Sequence, residues 1–213
     1  MGMRCEGTNN FQMEKTMTTE LEVKAESGDR NAQFELAEKY FIIGSVDDDK
    51  KGLELLRKAA EQGHAEAQFE YGCAYFFGIC GVEQIDMVKA MEWIRKSAEQ
   101  GYTKAEFYVG DDYFEQGNAV DAINWLKKAA DKEYYYAQLG LGVIYQKGMG
   151  MGMEKNLTEA LVWFKKAAKN GDKGLHSEAH LEVAKAYFYG EGVEIDKEEA
   201  ERWKKAGYGT STT

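Results

Sequence analysis

The sequence predicts an all-α protein made of about five stacked helix pairs, preceded by one half-repeat helix. Two landmark residues recur along the chain, and their spacing carries the prediction. The first landmark is Tyr40, Tyr75, Tyr113, Tyr145 and Tyr187. The second, Trp in four of five copies, is Leu55, Trp93, Trp125, Trp163 and Trp203. Repeats of this length with two landmarks each are typical of α-solenoids.

The intervals between the landmarks separate packed junctions from loops. From the second landmark to the next Tyr the interval is 20 residues three times and then 24. From Tyr to the second landmark it varies over 15, 18, 12, 18 and 16 residues. A constant interval indicates two elements packed in one register, whereas a variable interval indicates a loop. Each repeat is therefore predicted to hold an A helix, an adjustable loop and a B helix.

These landmarks also set the expected boundaries. A single solenoid domain is expected over residues 18–208, between a disordered leader (1–17) and a polar tail (209–213). It opens with a half-repeat at 18–28, where the polar Glu20 replaces the Trp, as suits a terminal cap. The expected repeats are residues 30–63, 65–101, 103–133, 135–171 and 174–207.

Residues inside the repeats follow helical periodicity. Ala32, Leu36 and Tyr40 recur at i, i+4 and i+8, which places them on one stripe of a helix. Small residues recur one step beyond the middle of this stripe and predict close approach between helices; they are Ala37, Gly72, Gly110, Gly142 and Ala184. Gly at the B-helix ends predicts left-handed C-terminal caps at Gly63, Gly101 and Gly171.

Composition restricts the class of protein. The chain has 213 residues, 44% of them apolar, with a net charge of −10 and no Pro. This apolar content is sufficient for a continuous core, and no apolar run approaches the roughly 20 residues of a membrane helix. The negative charge disfavours nucleic-acid binding, which needs a dominant basic surface. We therefore expect a cytoplasmic protein that binds neither membranes nor nucleic acids.

The repeats resemble Sel-one-like repeats (SLR), relatives of the tetratricopeptide repeat. The clearest copy reads Tyr-Phe-Tyr-Gly-Glu-Gly-Val at residues 187–193 and Glu-Ala-Glu-Arg-Trp-Lys-Lys-Ala at residues 199–206. Residues 105–133 depart from the pattern because they lack the Gly-x-Gly loop, and the first repeat has Leu55 in place of Trp. The resemblance extends over about residues 20–207.

This resemblance implies a right-handed α/α superhelix that serves as a scaffold or adaptor for a protein or peptide, often in bacterial systems. In the tetratricopeptide register, the A helices line a concave groove. The candidate partner-binding residues are Phe41, Phe76, Phe114, Phe188, Glu38, Asp111 and Lys185. Further groove positions are Phe34, Phe69, Cys73, Phe107, Leu139, Val143, Gln146 and Leu181. The alternative for the aromatic residues is ordinary packing in the core.

Two other interpretations stay open. The high negative charge also suits a dedicated inhibitor, such as an immunity protein, that captures a basic toxin or effector enzyme by electrostatic steering. The chain could be a monomer or a weak homo-oligomer. Basic pairs recur in every B helix, at 57–58, 95–96, 127–128, 165–166 and 204–205. They are either a positive stripe for an acidic partner or last-turn cations that complement the helix dipole.

Catalytic and metal signatures are sparse. His176 and His180 are spaced i, i+4, but no HExxH pattern or cysteine pair accompanies them. The Gly-Met run at 148–153 lacks the Lys-Ser/Thr ending of a phosphate loop, and we expect a solvent-exposed loop there. Cys73 and Cys80 are not expected to form a disulfide. The sequence thus predicts a protein without catalytic residues, metal or cofactor.

Overall fold

The computed structural model describes residues 20–43, 45–82, 84–148, 154–171 and 177–208, and every regular element in these ranges is an α-helix. The predicted leader (1–17) and tail (209–213), most of the Gly-Met run (149–153) and His176 lie outside the described residues. The same is true of residues 172–176, where the four residues that lengthen the last junction are expected.

Helix α1 comprises residues 20–26 and stands alone, as the half-repeat predicts. Five helix pairs follow. The A helices are α2 (Arg30–Ile43), α4 (Ala65–Phe77), α6 (Thr103–Glu115), α8 (Tyr135–Lys147) and α10 (Ser177–Tyr189). The B helices are α3 (Val46–Glu61), α5 (Met87–Glu99), α7 (Ala119–Asp131), α9 (Leu157–Asn170) and α11 (Lys197–Tyr208).

The chain divides into two compact units, Met1–Tyr102 and Thr103–Thr213. In unit 1, α2 packs on α3, α4 packs on α5, and α3 also contacts α4. In unit 2, α6, α8 and α10 pack on α7, α9 and α11 respectively, while α7 contacts α8 and α9 contacts α10. Helices α3, α7 and α9 therefore each pack between their own A helix and the next one, as the packed B-to-A junctions predict.

The predicted stripe forms the core. Ala32 and Leu36 are buried against Leu21 and Ala25 of α1, and Tyr40 packs against the same cluster. The corresponding stripe of α8 is also part of the core, since its Leu141 is fully buried. The half-repeat helix thus covers the apolar face that the first A helix would otherwise expose to water.

The loops that join A and B helices differ in length, but four of them are closed by the same backbone hydrogen bond. The carbonyl of the landmark Tyr accepts from the backbone N–H of the residue that caps the next B helix. These pairs are Tyr75–Asp86 (3.1 Å), Tyr113–Asn118 (2.9 Å), Tyr145–Asn156 (2.8 Å) and Tyr187–Asp196 (3.0 Å). Each cap side chain then accepts from the N–H three residues later. Both ends of the loop are fixed, so its length can vary without shifting the helices.

The close approach predicted at the small residues is confirmed for three glycines. A Cβ on Gly72 would lie 2.7 Å from the Ile94 side chain and 2.9 Å from the Ala90 carbonyl. A Cβ on Gly110 would lie 2.7 Å from Leu126, and one on Gly142 would overlap the ring of Phe164. In these repeats the A and B helices pack too closely for any larger side chain.

One of the three predicted glycine caps is wrong. Gly63 and Gly101 have φ of 80° and 85°, as expected for left-handed caps. Gly171 instead has φ −80° and ψ 144°. Its N–H still bonds the Ala167 carbonyl, so α9 ends at a glycine with extended rather than left-handed backbone. At the end of α7 the non-glycine Glu133 takes a positive φ of 62°.

Candidate binding surface on the A helices

A cavity of about 250 Å³ opens between α2 and α4 of unit 1. Leu56 of α3 also contributes to its wall, and so do two residues that follow α4. The lining residues are Phe34, Glu38, Phe41, Leu56, Glu70, Cys73, Ile79 and Cys80. Four of these were predicted groove positions. The A helices therefore present a concave, mostly apolar site in this unit.

Helical spacing brings the α2 residues to one side. Phe34, Glu38 and Phe41 are separated by four and three residues, so their side chains share a face. Phe34 stacks on His64 with ring centroids 4.7 Å apart. Phe41 lies directly over Gly52 of α3, where a Cβ would overlap its ring. Both rings are thus held by packing while they also line the cavity.

Apart from the two phenylalanines, the described residues that line the cavity are either acidic or uncharged, and none is basic. Glu38 is exposed and Glu70 is half-buried. Burial raises the pKa of the Cys80 thiol, and the carboxylates of Asp49 and Glu70 raise it further. Cys73 and Cys80 do not form a disulfide with each other, and the raised pKa of Cys80 disfavours its reactive thiolate form. The Cys80 thiol is therefore poorly suited to act as a nucleophile at neutral pH.

The predicted groove positions did not include the other four lining residues, Leu56, Glu70, Ile79 and Cys80. Glu70 lies three residues before Cys73, a predicted groove position, so the i, i+3 rule could have placed it on the same face. Cys80 has the unusual φ of 55° in the turn after α4, and no helical pattern predicts the orientation of such a residue.

In unit 2, the predicted residues of α6 have different surroundings. Asp111 is exposed as a residue, but neighbouring atoms still shield its carboxyl group in part from water. This desolvation raises the pKa of Asp111, and the nearby charges of Glu115 and Asp112 raise it further. Phe114 is half-buried and packs against the core formed by α7, α8 and Trp163. Asp111 therefore contributes negative charge to α6, whereas Phe114 contributes mainly to packing.

Lys185 of α10 belongs to a polar chain that joins two A helices. Glu182 accepts hydrogen bonds from Gln146 of α8 (3.1 Å) and from Lys185 (2.5 Å). The bond to Glu182 raises the pKa of Lys185, so its ammonium stays charged. Gln146 and Lys185 were both predicted groove positions, and they meet through a residue that the prediction omitted.

The last two predicted residues lie where A helices end. Phe76 is half-buried and packs edge-to-face on Phe77, with centroids 4.9 Å apart. Phe188 is 44% exposed and packs in the same way on Tyr189, also at 4.9 Å. Of the seven candidates, Glu38 and Phe41 share the cavity. The partner-binding role of all seven stays a prediction.

The basic pairs are engaged by neighbouring side chains. In three B helices a lysine lies over the ring of the landmark Trp three residues earlier. The ammonium-to-centroid distances are 4.0 Å for Lys96–Trp93, 3.4 Å for Lys128–Trp125 and 3.8 Å for Lys166–Trp163. Such cation–π contacts favour the packing interpretation of these lysines over a stripe free for an acidic partner.

A ladder of buried amides was not predicted. Gln33, Gln68 and Gln138 each donate to a backbone carbonyl of the preceding B helix, at 3.0–3.1 Å. Each then accepts from an amide at the end of its own B helix; these bonds are Gln62–Gln33, Gln100–Gln68 and Asn170–Gln138. The signal was present, because an amide follows the first stripe Ala in three repeats.

The part of the chain that the structure describes contains neither a metal-ligand cluster nor a helix able to span a membrane. No group of three or more His, Cys, Asp or Glu is arranged to hold a metal ion there. The ring of His180 packs near Trp203 at 5.8 Å. Within the same residues, no helix combines the length and apolar character needed to span a membrane.

The fold and its repeated contacts define a class of protein built from helix-pair repeats. The Sel1 repeat model matches five segments, residues 30–64, 65–102, 103–134, 136–172 and 177–203. These matches extend over more than half of the chain, which therefore belongs to the Sel1 repeat family with its all-α repeat fold. Sel1 repeat proteins are generally non-enzymatic scaffolds for protein interactions.

Solved structures agree with this assignment. A Sel1 repeat protein from Oxalobacter formigenes is 28% identical with a TM-score of 0.72, over 85% of this chain and 73% of that one. A protective antigen of uropathogenic Escherichia coli strains with an SLR fold is 29% identical with a TM-score of 0.64. That match covers 87% of this chain but only 47% of the antigen. A comparison with curated proteins gave no match.

Proposed function

We propose that this protein is an adaptor that binds an extended or helical segment of a partner protein on its A helices. The observation that carries the proposal is the cavity between α2 and α4, lined by aromatic, aliphatic and acidic side chains. Concave sites that bury one anchoring side chain of a partner are a common mode of peptide recognition.

The size of the cavity favours a peptide anchor over a metabolite. At about 250 Å³ it lies below the roughly 300–1,000 Å³ of typical small-molecule pockets. Phe34 and Phe41 are rigidly packed on His64 and Gly52, so they would lose little conformational entropy when a partner binds. A preorganised apolar site with acidic groups at its wall is suited to holding one side chain of a protein segment.

Site-specific photo-crosslinking tests this proposal. A benzoylphenylalanine placed at Glu38 reports on the cavity, and one placed at Val162 of α9 reports on an exposed B-helix position. In a lysate of the native cells, the probe at 38 should capture one dominant protein that the probe at 162 does not capture. Equal capture at both positions, or none at 38, would contradict the proposal.

The net charge of −10 favours a second candidate, a dedicated inhibitor of a basic enzyme. Electrostatic steering would then make the association rate fall steeply as salt increases. The purified crosslinked partner separates the two functions. An inhibitor should abolish an enzymatic activity of that partner at equimolar amounts, whereas an adaptor should leave it active.

A further inference from the structure

We propose that the occupant of the unit 1 cavity is a basic side chain, Arg or Lys, of the partner segment. This inference rests on the proposed function, because it names the chemistry of the side chain that the cavity would hold. It is carried by the charge and the aromatic character of the lining residues.

The lining combines two carboxylates with two aromatic rings. Glu38 and Glu70 supply the carboxylates, and Phe34 and Phe41 supply the rings. Among the described residues that line the cavity, none is basic. The Glu70 and Asp49 carboxylates also lie close enough to Cys80 to add to the effect of burial on its thiol pKa. Carboxylates therefore lie near Cys80 as well as at Glu38.

Such surroundings discriminate between anchors. A guanidinium or ammonium would gain charge-assisted hydrogen bonds from the carboxylates and cation–π attraction from the phenyl faces. Its aliphatic stem would cover Leu56 and Ile79, as long basic side chains do on apolar surface. An acidic side chain would meet like charges, and an aliphatic side chain would desolvate the carboxylates without replacing their hydrogen bonds. Only a basic side chain satisfies both parts of the lining.

Glu38 has the greater freedom to make this contact. It is exposed on α2, and among the described residues it has no ion-pair partner, whereas Glu35 on the same helix pairs with Lys39 at 3.5 Å. Glu38 is therefore the carboxylate that binds the incoming charge, and Glu70 is a second carboxylate in the lining.

A peptide selection tests the inference. A random 12-residue library displayed on phage is selected on the immobilised full chain, on Glu38→Gln/Glu70→Gln and on Glu92→Gln/Glu99→Gln. The last variant changes two exposed carboxylates of α5, so it matches the change in net charge away from the cavity. Arg or Lys should be enriched at one fixed position with wild type and with the α5 variant. That enrichment should be lost with the cavity variant.

A neutral analogue then gives the size of the effect. Replacing the selected Arg by citrulline keeps its shape but removes its charge. On wild type this should weaken binding about tenfold or more, whereas on the cavity variant it should change little. The citrulline comparison on wild type remains informative even if the cavity variant fails to fold, which circular dichroism would detect.

The other outcomes separate the inference from the proposed function. Peptides enriched without any basic preference would overturn the inference while the proposed function stands. Basic peptides bound equally by the cavity variant would also overturn it, because their site would then lie elsewhere. No enrichment over a blank surface would contradict both.

Discussion

Lys132 donates two hydrogen bonds to the buried carboxylate of Glu106, with its Nζ 2.8 and 2.9 Å from the two oxygens. Glu106 follows the first stripe Ala of α6, and Lys132 is the C-cap of α7. In the repeats of α2, α4 and α8 the same two places hold neutral amides. The third repeat has thus exchanged an amide pair for an ion pair.

Removing one partner of this ion pair should destabilise the protein. Glu106 is only 3% exposed, so Lys132→Ala would leave a buried carboxylate without its charged donor. We expect the free energy of unfolding to fall by about 1–3 kcal/mol, less than for a fully buried pair because the side chain of Lys132 is 41% exposed. Urea unfolding followed by circular dichroism measures the change.

The double variant Glu106→Gln/Lys132→Gln is the control, since it recreates the amide pair of the other repeats. It should recover most of the lost stability. A Lys132→Ala protein within about 0.5 kcal/mol of wild type would show that the ion pair does not stabilise the fold.

His64 should make stability depend on pH. Its Nδ1 accepts from the Ala67 N–H at 3.1 Å, so the neutral imidazole caps α4. Burial lowers its pKa below the usual 6.5; Glu66 opposes this shift and Arg30 adds to it. The unfolded chain therefore binds more protons at mildly acidic pH. The stabilisation is complete above about pH 6.5 and is lost as pH falls through the folded-state pKa.

The comparison protein is His64→Asn, which keeps a residue that caps helices well and cannot titrate. Between about pH 8 and pH 5, the difference in unfolding free energy between wild type and this variant should shift in favour of the variant. Charges elsewhere act on both proteins and cancel in the difference. Parallel curves over this range would show that His64 does not couple folding to protonation.

Two glycines of α8 should respond in opposite directions to substitution by Ala. A methyl group at Gly142 would overlap the buried ring of Phe164, so Gly142→Ala should cost about 1–3 kcal/mol. A methyl group at Gly140 would meet only the Leu126 side chain at 3.6 Å, an ordinary contact. Gly140→Ala should therefore stabilise the helix by about 0.5–1 kcal/mol. Thermal or urea unfolding of both variants compares them directly, and a similar effect at both sites would contradict the close helix approach.

The loop between α10 and α11 offers a test of its contact with α9. Gly192 has φ 73°, and a Cβ there would overlap the backbone of Leu157 and Thr158. Gly117 has a similar φ of 75° but nothing within 4 Å of a Cβ. Gly117→Ala should cost about 1 kcal/mol from the left-handed conformation alone, and Gly192→Ala should cost at least about 1 kcal/mol more. Equal losses of unfolding free energy would mean that the loop does not pack on α9.

Much of the fold was predictable because the residues that define it recur at regular spacings. Ala32, Leu36 and Tyr40 reveal the buried face of α2, since helical geometry alone places them on one stripe. The constant 20-residue interval predicted the junctions, because packed helices cannot slide by a residue without burying a polar face. Gly171 shows the limit of such reasoning. A glycine permits a left-handed cap but also the extended conformation that Gly171 adopts, so its presence alone does not specify one.

The candidate site was predictable only in part, for a related reason. Register placed Phe34, Glu38 and Phe41 on the inner face of α2, and all three line the cavity. The pattern could not show that Phe41 also packs over Gly52, because that contact depends on the distance between two helices. Cys80 lies in an irregular turn, where no period specifies the direction of a side chain.

By itself the sequence determined the class of fold, the order of the helices and the family, since these follow from residue types at fixed spacings. Only the tertiary structure decided which side chains meet. It placed the lysines of the B helices on Trp rings, joined Gln146 to Lys185 through Glu182, and gathered Glu38 and Glu70 around one cavity. Periodicity specifies the face of a helix on which a residue lies, whereas a binding site depends on the distances between faces, and packing sets those distances.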